Sequence, residues 1–242
     1  MLLLGDCLDL LWSLPKHGAD ALITDLPYGT TQCRWDTVIP LDKLWPAVYH
    51  AVKPSGALVF TAAQPFTSQL INSNLRHFKY CWVWEKSKAS GWLNAKRQPM
   101  RAHEEIAVFY RKQCTYRPRM VPGQPYDTGL CAKPADVYGA QKPQRVLSSD
   151  GMRYPRTVQY FKTAESEGKT YHPTQKPCAL MRYLVETYTE PGETVVDPCM
   201  GSGTTGAAAV AAGRAFVGIE SDLKWYEVAA DRLALKTPSE SV

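Results

Sequence analysis

The chain has 242 residues, 45% of them hydrophobic and 21% charged, with a formal net charge of +5 at pH 7. That length builds one sizeable core with room for an appendage. No run of about 18 apolar residues predicts a membrane span, the start MLLLGDCLDL is too short and too soon acidic for a secretory leader, and seven Cys without a C-x-x-C pair argue against a zinc site and for reduced thiols in a cytosol.

In chain order, apolar runs of strand length predict strands at 1–4, 21–24, 57–61, 80–84, 106–110, 194–196 and 215–219. Helical patterns fall between several of them, at 40–52, 65–74, 176–189, 204–212 and 222–235. This alternation predicts an α/β fold with a mostly parallel sheet covered by helices on both faces. Residues 112–170 break the pattern with six Pro, several Gly and no periodicity, and read as an irregular insertion. Ligands of open α/β sheets bind beyond the carboxyl ends of the strands. Four predicted strands run into an acid there: Asp6 after Gly5, Asp25 after Thr24, Asp197 after Val196 and Glu220 after Ile219. Each acid alone could merely cap the next helix; four together predict a carboxylate-lined edge.

Two further stretches stand out. Between Lys86 and Arg119 there are nine Lys and Arg against two acids, Glu104 and Glu105, with Trp92, Tyr110 and Tyr116 interleaved. Cations among aromatics suit a phosphate backbone and unstacked bases, and Lys86, Lys88, Lys96, Arg97, Arg117 and Arg119 are the expected DNA contacts; a solvated surface is the plainer alternative. In the second stretch, Thr194 to Glu220, a strand runs into Asp197, then Gly201-Ser202-Gly203, then a helix of small residues, then a strand closed by Glu220. Gly201 and Gly203 would let backbone approach a ligand closely. Glu220 stands where a carboxylate meets ribose hydroxyls in nucleotide folds. GSGTTG also completes the dinucleotide pattern, so NAD stays open. Asp197 just before the loop would repel a pyrophosphate and attract an ammonium group, as S-adenosylmethionine carries.

DPCMGSGTT, TDLPYG and HPTQKP together resemble the cofactor loop, the D-P-P-Y motif and a third signature of the β-class DNA amino-methyltransferases. Their order matches too, with the catalytic motif early, the cofactor loop late and a recognition segment between. GDCLDLLWSLP and RAHEEIAVFYR are similar to that family's N-terminal cofactor stretch and to the strand before its recognition segment. The resemblance implies a Rossmann-like class I methyltransferase fold with circularly permuted motif order. Residues 1–111 and 171–242 would form the catalytic domain, and 112–170 the target-recognition insertion. It implies S-adenosylmethionine as cofactor, S-adenosylhomocysteine as product, no metal, double-stranded DNA as partner, a homodimer, and a cytoplasmic setting in bacteria or phage-infected cells, in restriction–modification systems or as a solitary enzyme.

By the same resemblance, Asp25, Leu26, Pro27 and Tyr28 are the catalytic residues, with the Leu26 carbonyl serving where the family has a first Pro. Asp6, Cys7, Thr174, Gln175, Lys176, Asp197, Pro198, Gly201, Ser202, Gly203, Thr204, Glu220 and Ser221 are the cofactor-binding ones. Thr174, Gln175 and Lys176 would hold the methionine carboxylate; alternatively Thr174 or Gln175 only caps the helix that follows, with Pro177 in its first turn. Family members with Asp at the position of Asp25 typically methylate adenine at N6 and those with Ser cytosine at N4. Adenine is therefore expected, with cytosine N4 and a non-catalytic relic as alternatives. Cys199 is expected to pack rather than act as a nucleophile. His103 is expected to pack or hydrogen-bond, and Trp35, Trp45, Trp82 and Trp84 to form core or wall.

Overall fold

The computed structural model describes residues 1–33, 36–131, 136 and 139–234. Trp35 and the last residue of the helix expected to reach 235 lie outside the described residues. The chain forms two compact units, Met1–Arg117 with Thr157–Val242, and Pro118–Arg156.

In the larger unit the elements run β1 (Leu2–Leu4), α1 (Cys7–Ser13), β2 (Ala19–Asp25), α2 (Leu41–Ala51), β3 (Val52–Ala62), α3 (Phe66–Asn72), β4 (Phe78–Ser90) and β5 (Arg101–Phe109). After the smaller unit, which holds β6 (Tyr126–Cys131) and β7 (Gln144–Ser148), come β8 (Val158–Phe161), α4 (Ala164–Glu167), α5 (Cys178–Tyr188), β9 (Thr194–Asp197), α6 (Thr204–Ala211), β10 (Ala215–Glu220) and α7 (Leu223–Ala234). All seven expected strands and five expected helices are present. α1 was not expected, because its short apolar run is interrupted by Asp9; Asp6 starts it by accepting from the Leu8 amide at 2.8 Å.

The main sheet has the order β1-β10-β9-β2-β3-β5-β4-β8. The strands from β1 to β3 are all parallel, β5 is antiparallel to both β3 and β4, and β8 is parallel to β4. One sheet edge therefore carries the ends of β1, β10, β9, β2, β3, β4 and β8 but the beginning of β5. Alternation along the strands divides the core. Leu22, Leu58 and Phe60 pack with Leu11 of α1, Leu44 and Val48 of α2, and Phe66 and Leu70 of α3. Ala21, Ile23 and Val59 pack on the opposite side with Leu184 and Tyr188 of α5, Ala208 of α6 and Ala229 of α7. This is the Rossmann-like α/β arrangement with helices on both faces.

The segment 112–170 is less irregular than its composition suggests. β8 and α4 belong to the larger unit, and the separate compact unit is confined to Pro118–Arg156. Within it β6 and β7 pair antiparallel, Arg145 forks onto Asp127, and the Arg153 guanidinium lies 3.8 Å from the Tyr126 ring centre. Long-range pairing between short strands leaves no periodicity in such a segment, which is why it read as irregular. Among the described residues no helix is long and apolar enough to cross a membrane, and no group of three His, Cys, Asp or Glu could hold a metal.

Candidate active site

The strand ends open onto a cavity of about 870 Å³. Asp6, Asp25, Asp197 and Glu220 all line it, so the four expected carboxylates do share one edge. Cys7, Leu26, Pro27, Tyr28, Thr174, Gln175, Lys176, Pro198, Gly201, Ser202, Thr204 and Ser221 line it as well.

Gly203 does not. It has φ +74, and a Cβ there would lie 3.1 Å from the Ala229 Cβ, so its bareness serves the packing of α6 on α7. Gly201 is the opposite case: φ is +50 and a Cβ would meet only open space at the cavity wall. The Glu220 carboxylate fixes this turn. Its Oε2 accepts from the Gly201 amide and its Oε1 from the Asp222 amide, both at 2.9 Å. Asp197 is 2% exposed and already engaged. Its Oδ1 accepts from Thr24 Oγ1 at 2.7 Å and from the Cys199 amide at 3.1 Å, tying β9 to β2 and holding the loop. Burial pushes its carboxyl up to about 6, against the pull of those donors. The Cys199 thiol is pushed well above its ordinary value, first by its hydrogen bond with Cys7 and then by burial, so it is not a ready thiolate.

At the end of β2, Asp25 is held from three sides. Tyr28 Oη donates to its Oδ1 at 2.6 Å, Thr61 Oγ1 to the same oxygen at 2.5 Å, and Lys176 Nζ to Oδ2 at 2.7 Å. The Tyr28 ring is backed by Phe66, centroids 5.2 Å apart and planes 20° from parallel. Leu26 is buried, its side chain filling core space where a Pro would have only stiffened the turn. Gly29 turns the chain away with φ +68, and a Cβ there would strike Val38 at 2.8 Å. The following loop is gathered by Asp36, which accepts from the amides of Gly29, Thr30 and Thr31 at 2.6–2.9 Å. Burial raises its carboxyl, but the Thr31 hydroxyl and the three amides outweigh that and hold it below its usual value.

Lys176 is 9% exposed and does not stand free for an anion. Besides Asp25 it lies 3.4 Å from Glu104 Oε2, while Lys86 Nζ binds Glu104 Oε1 at 2.5 Å. Burial works against the charges of Glu104 and Lys176. The two ammoniums nonetheless hold Glu104 below its ordinary value, and Asp25 and Glu104 hold Lys176 above its own. Lys86 is thus bound to a buried carboxylate rather than offered to solvent. Arg117 likewise pairs with Glu190. Lys88 lines the cavity, Lys96 and Arg97 are exposed on the β4–β5 connection, and Arg119 is in the smaller unit.

Thr174 and Gln175 do not cap α5. Thr174 turns to His172, with its amide 3.2 Å from Nδ1, and Gln175 Oε1 accepts from the Tyr171 amide at 2.9 Å. Pro177 sits at the cap position itself, and the cap is Glu167 of α4, accepting from the Cys178 amide at 2.7 Å and the Ala179 amide at 3.1 Å. His103 lies inside β5, exposed at the cavity wall and 4.0 Å from Glu105, instead of packing before a strand. Trp45, Trp82 and Trp84 are buried as expected, and Trp84 also walls the cavity.

This geometry has counterparts among known proteins. The Type II methyltransferase M.HinfI of Haemophilus influenzae is 45% identical over 69 residues, which span 28% of this chain and 19% of that protein. The chain therefore aligns with about a fifth of that curated relative's length. The crystal structure of the M1.HpyAVI–SAM complex is 25% identical with a TM-score of 0.66, covering 96% of this chain and 98% of that one. The cytosine-N4-specific PvuII DNA methyltransferase superposes with a TM-score of 0.67 over 100% of this chain and 87% of that one; at 17% identity it speaks for the fold alone. The sequence model of the DNA methylase family designated N6_N4_Mtase matches residues 19–231. With most of its length inside that match, and with the family's motifs meeting in one cavity, the chain belongs to the N6_N4_Mtase DNA methylase family.

Proposed function

We propose that this protein transfers a methyl group from S-adenosylmethionine to N6 of adenine in double-stranded DNA. The observation that carries the reading is the meeting, on one cavity, of Asp25–Tyr28 at the end of β2 with the Gly201 turn and Glu220 at the ends of β9 and β10. The residues fit the cofactor. Gly201 leaves a bare backbone at the wall, and Glu220 keeps acceptor capacity beyond its two amide bonds, which suits ribose hydroxyls. Asp6, Cys7, Pro198, Ser202, Thr204 and Ser221 supply the rest of the wall, and Thr174, Gln175 and Lys176 stand at its entrance to α5. When bound, S-adenosylmethionine supplies a methyl group on a cationic sulfur, which a carboxylate-rich edge favours.

The chain's own residues do the remaining work. The exocyclic amine of adenine is a weak nucleophile because its lone pair is delocalised into the ring. Acceptors placed at its hydrogens localise that pair; Asp25 is one and the Leu26 carbonyl the other. Thr61 and Tyr28 hold Asp25 in place, and Phe66 backs the Tyr28 ring so that its plane can set that of the base. Asp25 then receives the proton that the methylated amine sheds. The base must leave the duplex to reach this cavity. Residues 118–156 are the target-recognition unit, and Lys88, Lys96, Arg97 and Arg119 contact phosphates.

The Asp at position 25 supports adenine over cytosine, following the tendency of the resembled class. Incubation with methyl-tritiated cofactor and DNA, followed by digestion to nucleosides, tests the whole reading. Label in N6-methyldeoxyadenosine is the expected result. Label in N4-methylcytosine overturns the choice of base, and none at all leaves a non-catalytic DNA-binding protein.

A further inference from the structure

The connection between β4 and β5 leaves its large apolar side chains in solvent: Trp92 is 72% exposed and Leu93 79%, with Met100 at 41% just before β5. The turn is nonetheless well made. Gly91 enters it with φ 87, residues Trp92–Asn94 form one 3₁₀ turn, and Asn94 O accepts from the amides of Arg97 and Gln98 at 2.8 and 3.0 Å. A backbone that satisfies itself while presenting Trp and Leu outward has a surface built to be covered. What covers it is indicated by its surroundings. From Lys86 to His103 the chain carries five cations and no acid. Lys86 is spent on Glu104, which leaves Lys88, Lys96, Arg97 and Arg101 flanking the apolar pair in sequence. Lys88, Ala89, Ser90 and Arg101 line the reaction cavity itself, so the turn is continuous with its rim. The other aromatics between Lys86 and Arg119 are used within the protein: Phe109 is buried in the core, Tyr110 lies under Lys79, and Tyr116 packs on Tyr188.

We propose that Trp92 and Leu93 form a wedge that enters the DNA base stack where the target base has been extruded. Lys88, Lys96, Arg97 and Arg101 grip the phosphates on either side. An apolar pair flanked in the chain by cations matches a base stack between two phosphate chains, and filling the vacated gap offsets the cost of unstacking. The proposal rests on the methyltransferase reading above.

Its test first maps the methylated site by sequencing modified bases in DNA treated with the wild-type protein. Rates are then compared on two oligonucleotide duplexes containing that site, one fully paired and one with the target base mismatched. A mismatched base is already loosened, so the wedge matters less to it. W92A/L93A is expected to slow methylation of the paired duplex by about tenfold or more and of the mismatched duplex by less than about threefold, with W92F close to wild type. Equal losses on both duplexes, or no loss on the paired one, overturn the wedge. So does a wild-type dimer that sedimentation shows W92A/L93A to dissociate, since a second copy would then be what covers the pair. A wild-type protein that methylates no DNA refutes the underlying reading instead.

Discussion

Lys176 stands between Asp25 and Glu104, 2.7 Å from one carboxylate and 3.4 Å from the other. Glu104 in turn binds Lys86, so two buried or nearly buried cations share it. Removing its charge leaves Lys86 without its carboxylate and Lys176 with Asp25 alone. Glu104→Gln is expected to cost about 3 kcal/mol of stability near neutral pH, since breaking a buried pair costs more than the pair is worth. It is also expected to slow methyl transfer, because Lys176 would then bear on Asp25 alone. The pH dependence has a definite sign. Glu104 is held below its ordinary value of 4.5, so its contribution is fully present above that value and fades as pH falls through the lower one. Urea denaturation at several pH values checks this: the gap between wild type and variant should close in acid, and a constant gap would remove the charge from the explanation.

Asp25→Ala separates chemistry from binding. Asp25 faces the amine in the proposed mechanism, while the Gly201 turn and Glu220 are held by contacts that do not involve it. Methyl transfer is expected to fall by about a thousandfold or more. Cofactor affinity by calorimetry should change little, since Lys176 keeps Glu104 as a partner. Equal losses in both would put Asp25 on the cofactor.

Much of this site was legible as strands running into acids. That rule finds Asp25, Asp197 and Glu220 because β2, β9 and β10 are parallel and release their last residues at the same edge. It cannot find Glu104. β5 is antiparallel to its neighbours and brings its beginning to that edge, and an apolar run carries no sign of its direction. Thr61 was hidden differently: inside the expected strand 57–61 it reads as an ordinary β-former, yet it donates to Asp25 across the β2–β3 pair. Asp36 and Glu167 serve amides seven and eleven residues away, a separation at which a single acid in a loop or short helix gives no local signal. Gly203 lies off the cavity wall and against Ala229, and a glycine that lets two helices approach looks in sequence like one that lets a ligand approach.

Asp197 should destabilise the fold as it ionises. Burial raises its carboxyl to about 6, so the folded state prefers it protonated. The stabilisation is complete below the ordinary value of 3.8 and is lost as pH rises through about 6. Compared with Asp197→Asn, the wild type should therefore gain on the order of 2–3 kcal/mol between pH 7.5 and pH 4, after the common effects of other groups cancel. Paired thermal melts across that range measure the difference. A flat difference would mean that Thr24 and the Cys199 amide stabilise the ionised form enough to cancel burial.

Glu167 should matter to α5 in a way that Thr174 does not. It supplies a charged acceptor to both the Cys178 and Ala179 amides, where the helix dipole adds to the hydrogen bonds. Glu167→Ala is expected to cost about 1 kcal/mol and to weaken cofactor binding, since Gln175 and Lys176 lead directly into that helix start. Thr174→Ala removes a hydroxyl that turns to His172 and caps nothing, so the melting temperature should hardly move. Thermal melts with and without S-adenosylmethionine compare the two variants. If Thr174→Ala were the more damaging to the cofactor-free protein, the helix would be capped from within its own motif and Glu167 would be incidental.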